Sequence, residues 1–223
     1  STLILNKNEY YPEADELKLD KITITTYPSI GELYNSFKTG SIDLISTENS
    51  NLKEYIGTIG YQVKEMKGRE HDFIAFNTQN EILSQLNVRK AICYSIDKSN
   101  IVSSVYGDNY YTSSFPLDYG NWIYQEQDSS AGYNLEQAKQ ILVDDGWNYK
   151  YKYWQKTVNY RTQRISLNFV VKSSDTSRVS VAENIKTQLQ NQGFRINLIK
   201  ANDTQYQNYI ANKNYDLILC SMN

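Results

Sequence analysis

Few side chains in this sequence have the type and spacing that catalysis or metal binding requires. The single histidine is His71, and the two cysteines, Cys93 and Cys220, lie far apart in the chain. One histidine excludes a histidine-rich metal site and weakens any Ser-His or Cys-His pair, and two distant cysteines exclude a zinc module or a disulfide scaffold. Asp144 and Asp145 are adjacent, so on a helix they point about 100° apart and do not converge for acid–base work.

The sequence also lacks the short motifs that mark most enzymes. It contains no G-x-S-x-G, P-loop, dinucleotide-binding glycine pattern, H-E-x-x-H or C-x-x-C. These motifs place a nucleophile, a phosphate or a metal ion where the chemistry needs it. We therefore expect a protein that is not an enzyme and that uses no metal ion or cofactor.

The composition of the chain excludes further classes of protein. The chain has 223 residues, 40 % of them hydrophobic, and a formal net charge of −2. It is long enough to bury a core, and the small negative charge argues against nucleic acid as the main partner, because phosphate binding needs a clustered excess of Lys and Arg. No apolar run is long enough to span a bilayer, and no signal peptide is visible.

The elements that must position any site alternate between strand-like and helix-like patterns, which predicts an α/β fold. Residues 22–25 alternate as in a strand with one buried face. Further strands are predicted at residues 42–45, 61–66, 73–76, 165–171, 194–199 and 215–220. Helices are predicted after four N-cap residues that precede apolar periods, namely Ser29, Asp97, Asn134 and Asp203.

Five segments in order resemble one protein family. They are N-K-N-E-Y-Y-P at residues 6–12 with L-D-K-I at 19–22, F-K-T-G-S-I-D at 37–43, F-N at 76–77 with V-R-K-A-I-C-Y-S-I-D-K at 88–98, Y-N-L-E-Q-A-K-Q-I-L at 133–142, and L-Q-N-Q-G-F-R-I at 189–196 with Y-D-L at 215–217. Their order and spacing are similar to those of extracellular solute-binding family 5, which serves peptide and nickel ABC importers. No single motif is specific, but five at matching intervals argue strongly against coincidence.

The resemblance implies a fold of the periplasmic-binding-protein type II class, with mixed sheets flanked by helices. Members of the family are roughly twice this length, so the resemblance implies a truncated piece with an incomplete two-lobe fold. Residues 1–68 are expected to form a strand–helix–strand portion of the first lobe, and residues 69–223 most of the second lobe. The abrupt apolar starts and ends of the chain agree with a piece of a longer protein.

The function implied by the resemblance is ligand capture without chemistry. Such proteins bind a peptide as an extended strand in the cleft between two lobes and deliver it to an ABC permease. The implied protein is a monomer, either periplasmic or an extracellular lipoprotein that touches the membrane only through a lipid anchor on an N-terminus missing here. Two alternatives remain: binding of a nickel chelate, and a sensor or partner-binding protein that reuses the fold.

The resemblance also suggests residues near the cleft. His71 and Asp72 lie where the crossover strand enters the second lobe, and an acceptor there would meet a ligand amine. The alternative is that both are solvated turn residues. Tyr110 and Tyr111 fall in a region that borders the cleft in relatives, where they would line a side-chain pocket, or else pack beneath a long loop.

Two further positions complete the candidate ligand-binding set. Asp203 lies at a strand–helix turn that reaches the cleft in relatives, although a role as helix cap is the favoured explanation. Met222 follows the last predicted strand, where many members carry an aromatic residue. This departure from the family pattern puts ligand stacking at Met222 in doubt.

One tyrosine-rich run lies outside the resemblance. The chain contains 20 tyrosines, of which we attribute the larger share to coding bias and a smaller share to a contact surface. Trp147 and Trp154 flank three of them, Tyr149, Tyr151 and Tyr153. Their alternation predicts an added hairpin rather than a ligand site.

Overall fold

The computed structural model describes residues 1–47, 55, 58–64, 66, 68, 70–107, 110–113 and 132–222. The chain divides into two compact units, Ser1–Val63 and Lys64–Asn223. No helix in the described part of the chain has the length and apolarity needed to cross a bilayer.

In its described residues, the first unit contains an antiparallel ribbon, a short 3-10 helix and one α-helix. In chain order these are β1 (Thr2–Asn6), the 3-10 helix Ala14–Glu16, β2 (Lys21–Thr25) and α1 (Ile30–Lys38). Ile24 pairs with Leu3 and Ile22 with Leu5, yet both isoleucines stay nearly half exposed, at 47 % and 48 %. The prediction of a buried face at residues 22–25 is therefore wrong, because cross-strand pairing gathers apolar side chains on one face without covering it.

Aromatic rings form the core of the first unit. Tyr55 is buried and its ring lies 5.8 Å from that of Phe37 and 5.1 Å from that of Tyr61. The predicted strands at residues 42–45 and 61–66 are both wrong wherever the structure describes them. An alternating pattern forms a strand only when another strand pairs with it, and Tyr61 instead contributes its ring to this cluster.

The second unit is built on a four-stranded mixed sheet in the order β3-β9-β7-β8. These strands are β3 (His71–Phe76), β7 (Ser166–Lys172), β8 (Arg195–Ala201) and β9 (Leu217–Met222). Strand β9 is antiparallel to β3 and parallel to β7, which is parallel to β8. The strands predicted near residues 73, 165, 194 and 215 are thus confirmed, as is the α/β class.

Helices cover both faces of this sheet. They are α2 (Leu86–Tyr94), α3 (Lys98–Val105), α4 (Leu135–Asp144), α5 (Thr176–Asn191) and α6 (Asp203–Asn212). Along β7, Leu167 and Phe169 face a large core that includes residues of α2, α4 and α5, whereas Val170 faces a smaller core with Tyr206 of α6. This alternation is what a strand buried on both faces requires.

Three of the four predicted helix caps are confirmed. Ser29, Asp97 and Asn134 each accept a hydrogen bond from the backbone N–H three residues later. The fourth is wrong, because the cap of α6 is Asn202 and Asp203 is the first helical residue. Asn202 forms a reciprocal capping box with Gln205, which satisfies two backbone donors at once.

The predicted hairpin is confirmed and extended by a third strand. Strand β4 (Asn148–Lys150) pairs antiparallel with β5 (Tyr153–Val158), and β5 with β6 (Arg161–Arg164), in a separate sheet. Trp147 and Trp154 are buried in the large core and fix this sheet to the body of the second unit.

Candidate functional site

The candidate site is the edge of the four-stranded sheet at which its parallel strands end. Strands β7, β8 and β9 finish there at Lys172, Ala201 and Met222, and antiparallel β3 begins there at His71. Open α/β sheets bind ligands outside the carboxyl ends of their strands, where loops and helix N-termini converge. We call this region the carboxyl edge.

A cluster of charged side chains occupies the carboxyl edge. Arg178, in the first turn of α5, forms ion pairs with Asp72 at 2.9 Å, with Asp175 at 3.0 Å and with Glu70. Asp175 is also the N-cap of α5 and accepts a hydrogen bond from the Arg178 backbone N–H. These four residues, here called the Arg178 cluster, join the start of β3 to the start of α5.

The Arg178 cluster carries an excess of negative charge. Partial burial of the guanidinium disfavours its charge, but attraction to Asp72, Asp175 and Glu70 outweighs burial and raises the pKa of Arg178. Three carboxylates therefore surround one permanent cation. Glu70 is the most exposed member, and Ser221 donates a further hydrogen bond to its Oε1 at 2.9 Å.

Two tyrosines extend the cluster towards helix α3. The hydroxyl of Tyr106 donates to Oδ2 of Asp72 at 3.3 Å, and the Tyr110 ring stacks on that of Tyr106 with centroids 4.1 Å apart. Burial and the charge of Asp72 raise the pKa of Tyr106, so this phenol stays a hydrogen-bond donor. Tyr110 and Tyr111 line an open hollow of about 290 Å³ beside Ser103 of α3.

His71 and Met222 form a second group on the opposite face of the sheet. They are direct partners in the β3–β9 register, as are their neighbours Asp72 and Ser221. Successive strand residues alternate between faces, so His71 and Met222 lie on the side of α6 while Asp72 lies on the side of α5. The His71 ring stacks on Phe73 at a centroid distance of 6.2 Å.

Asp203 lies apart from both groups, at the start of α6. It accepts a hydrogen bond from Ser174 at 2.7 Å and forms an ion pair with Lys172 at 3.0 Å. The Ser174 hydrogen bond and then Lys172 lower the pKa of Asp203. Its oxygens are thus engaged within the protein.

The structure brings together only some of the predicted positions. Asp72 meets Tyr110 through Tyr106, and His71 meets Met222. Glu70, Asp175 and Arg178 were not predicted from the sequence, although an Asp shortly before the apolar period of α5 is an N-cap signal.

The described residues contain no candidate cluster of metal ligands. Within the ranges that the structure describes, no three His, Cys, Asp or Glu side chains are arranged to hold a metal ion.

Comparison with known proteins gives a consistent result. The family described as bacterial extracellular solute-binding proteins, family 5 Middle, matches residues 1–223. Heme-binding protein A of Haemophilus influenzae is 31 % identical over 130 residues, which cover 58 % of this chain and 24 % of that protein. The nickel-binding periplasmic protein of Escherichia coli is 26 % identical over 207 residues, covering 88 % of this chain and 37 % of that protein.

A solved structure shows the same fold. The oligopeptide-binding protein AppA of Bacillus subtilis, in complex with a nonapeptide, superposes with a TM-score of 0.67 at 19 % sequence identity. The match covers 99 % of this chain and 44 % of AppA. The predicted type II periplasmic-binding-protein fold is confirmed, and the chain spans less than half the length of each of these relatives.

Proposed function

This chain belongs to the bacterial extracellular solute-binding proteins of family 5, and from that premise we propose that the whole protein captures peptides and delivers them to an ABC permease. Relatives of this chain carry names for oligopeptide, nickel and heme binding. Peptide is the proposed ligand because the carboxyl edge offers what a peptide amino terminus needs. No bond is made or broken in this function, and no cofactor takes part.

The excess negative charge of the Arg178 cluster is the observation that carries the proposal. A peptide amino terminus is an ammonium group, and a carboxylate oxygen about 2.7–2.9 Å from its nitrogen accepts a charge-assisted hydrogen bond. Glu70 is 46 % exposed and Asp72 29 % exposed at their side chains, so both are accessible to a ligand. In the proposed complex these two carboxylates accept the ammonium while Arg178 holds them in place.

The other predicted positions take supporting roles in this proposal. Tyr110 and Tyr111 form an aromatic wall for a ligand side chain, which the stack of Tyr110 on Tyr106 would keep rigid. His71 and Met222 border the opposite side of the carboxyl edge. Asp203 lies apart from the Arg178 cluster, and Lys172 balances its charge one to one, so we assign it the smallest part.

The ligand would lie between two lobes. We assign residues 1–68 to the first lobe and 69–223 to the second, and the division into two compact units supports a boundary in this part of the chain. The proposed protein is a monomer, exported and held at the cell surface by a lipid anchor or free in the periplasm.

Native mass spectrometry followed by calorimetry tests the proposal. The whole protein, purified gently from rich medium, should carry a ladder of adducts at peptide masses. A synthetic peptide from that ladder should bind at least ten-fold more weakly when its amino terminus is acetylated, since about 1.4 kcal/mol of charge-assisted bonding is lost. Asp72→Asn should weaken the free peptide similarly, whereas Asp144→Asn, an exposed helix-end control, should not.

A nickel chelate is the second candidate, favoured by the position of His71 at the carboxyl edge and by the nickel-binding relative. Binding of nickel–histidine with no binding of any peptide would replace the main proposal by this one. A protein that binds no solute but is retained by a receptor would favour the sensor alternative instead.

A further inference from the structure

The sheet formed by β4, β5 and β6 has a charge unlike that of the rest of the chain. Residues 148–164 read N-Y-K-Y-K-Y-W-Q-K-T-V-N-Y-R-T-Q-R, with five Lys or Arg and no Asp or Glu. The whole chain has 23 basic and 25 acidic residues, so the remainder is clearly acidic. We call residues 148–164 the basic sheet.

Among the residues that the structure describes, most of these cations have no carboxylate partner. In the part of the chain that the structure describes, no Asp or Glu lies within 4 Å of the side-chain nitrogens of Lys150, Lys152, Arg161 or Arg164. The exception is Lys156, which turns inward to Asp145 at 3.6 Å and donates to its backbone carbonyl at 2.6 Å. Four positive charges are therefore presented to solvent.

The register places some of these charges on one face. Lys150 pairs with Tyr153 of β5, and Arg164 pairs with Gln155, which follows Tyr153 by two residues along the same strand. Paired residues share a face and alternate residues do too, so Lys150, Tyr153 and Arg164 lie together on the face opposite Trp154. The outer face is thus both basic and aromatic.

The two turns of the basic sheet hold tyrosines in a conformation that favours glycine. Tyr151 and Lys152 have φ of 54° and 68°, and Asn159 and Tyr160 have φ of 49° and 61°. Such turns prefer Asn-Gly or Gly-Gly, because a side chain at positive φ is strained. Tyr151 is 85 % exposed and Tyr160 is fully exposed, so packing does not explain their presence. Backbone strain of this kind is found mainly at functional sites, where the strained side chain takes part in binding or catalysis.

The basic sheet is fixed to the protein as a rigid platform. The indole N–H of Trp154 donates to the carbonyl of Gln192 at 2.7 Å, and the Tyr149 ring packs edge-on against Trp154 at 5.4 Å. The exposed face is therefore held in shape before it meets a partner, so little ordering is needed on binding.

We propose that the basic sheet is a docking surface for an anionic phospholipid membrane. Lipid phosphates complement unpaired Lys and Arg, and each such residue near an anionic bilayer raises partitioning about five-fold. Tyrosine is enriched at membrane interfaces because its ring is apolar and its hydroxyl is wet. The family is described as extracellular, and outside the cell the anionic partner for such a surface is a membrane rather than nucleic acid.

Vesicle flotation tests this surface. The whole protein, prepared without lipid modification, should float with vesicles of phosphatidylglycerol and phosphatidylcholine but not with phosphatidylcholine alone, and salt should release it. The triple variant Lys150→Gln, Lys152→Gln, Arg164→Gln should lose at least ten-fold in binding. A control that removes three exposed positive charges elsewhere, Lys18→Gln, Lys21→Gln, Lys213→Gln, should retain most of it.

Three outcomes would overturn the proposal. In the first, the triple variant binds vesicles as well as the wild type does. In the second, the triple and control variants lose vesicle binding equally. In the third, the wild-type protein does not bind vesicles but is retained on single-stranded RNA. Because peptide affinity depends on the Arg178 cluster and not on these residues, calorimetry with peptide separates a failure here from a failure of the proposed function.

Discussion

The Nε of Arg178 donates a hydrogen bond to Oδ1 of Asp72 at 2.9 Å, and the two residues are 106 positions apart in the chain. The bond joins the first turn of α5 to the beginning of β3. With Glu70 and Asp175 it makes one guanidinium the shared partner of three carboxylates. Removing Arg178 would therefore leave several like charges facing one another.

The first prediction concerns Arg178→Gln. We expect it to lower the free energy of unfolding by about 1–3 kcal/mol, less than for a fully buried pair because the carboxylates are partly solvated. Urea unfolding at neutral pH measures this. The control Lys139→Gln removes an exposed pair with Glu136 and should cost under about 0.5 kcal/mol. Equal effects of the two variants would contradict a structural role for the Arg178 cluster.

The second prediction concerns Gly193→Ala. Gly193 has φ of 89°, and a Cβ there would lie 2.5 Å from Cε2 of Tyr149. Relief would require Tyr149 to leave its contact with Trp154, so we expect a loss of about 2–4 kcal/mol in stability. Gly146→Ala is the control, because its φ is 83° but its nearest contact is 3.5 Å. It should cost only the strain, about 1–2 kcal/mol.

The third prediction concerns Tyr160→Gly. Glycine relieves the left-handed strain at φ 61° and removes a fully exposed side chain. We expect a gain of about 0.5–1 kcal/mol in unfolding free energy after the entropy cost of glycine is included. Tyr10 is about as exposed as Tyr160 but has no positive φ, so the control variant Tyr10→Gly should lower stability. A loss at both positions would show that the Tyr160 turn is not strained.

The fourth prediction concerns the pH dependence of Asp203. Because its folded pKa is lowered, its stabilising contribution is present above the ordinary pKa of aspartate and is lost as pH falls through the lowered value. The urea midpoint of Asp203→Asn should therefore lie below that of the wild type at pH 7, and the difference should close in acid.

Ser174→Ala provides the matched test of that pKa. Loss of the Ser174 hydroxyl should move the pKa of Asp203 back towards its ordinary value, which NMR titration would detect. A midpoint difference that widens as pH falls would contradict the sign of the shift.

Local signals in the sequence predicted the helices well. Ser29, Asp97 and Asn134 cap helices because a side chain and a backbone N–H three residues apart meet whatever the tertiary structure. The error at Asp203 is also local, since the neighbouring Asn202 has Gln205 at the position that completes a capping box. Here Asn202 rather than Asp203 caps α6, and Gln205 at the third helical position completes its capping box.

Contacts between distant segments were less predictable. The Y-D-L motif at residues 215–217 was visible in the sequence, but not the role of Asp216. Its two carboxylate oxygens accept hydrogen bonds from the Asn80 side chain and from the Asn168 backbone N–H, each at 2.7 Å. The same limit hid Arg178, because nothing in the order of residues pairs position 178 with positions 70 and 72.

The strand order β3-β9-β7-β8 has a consequence for how the protein is made. Strand β9, last in the sequence, lies inside the sheet next to β3, and Ser221 bonds to Glu70 across 151 positions of chain. A ribosome adds about 5–20 residues per second, so roughly 8–30 s separate the emergence of these two strands. The sheet cannot close during that interval, because β3 has no partner strand in this sheet until β9 has been made.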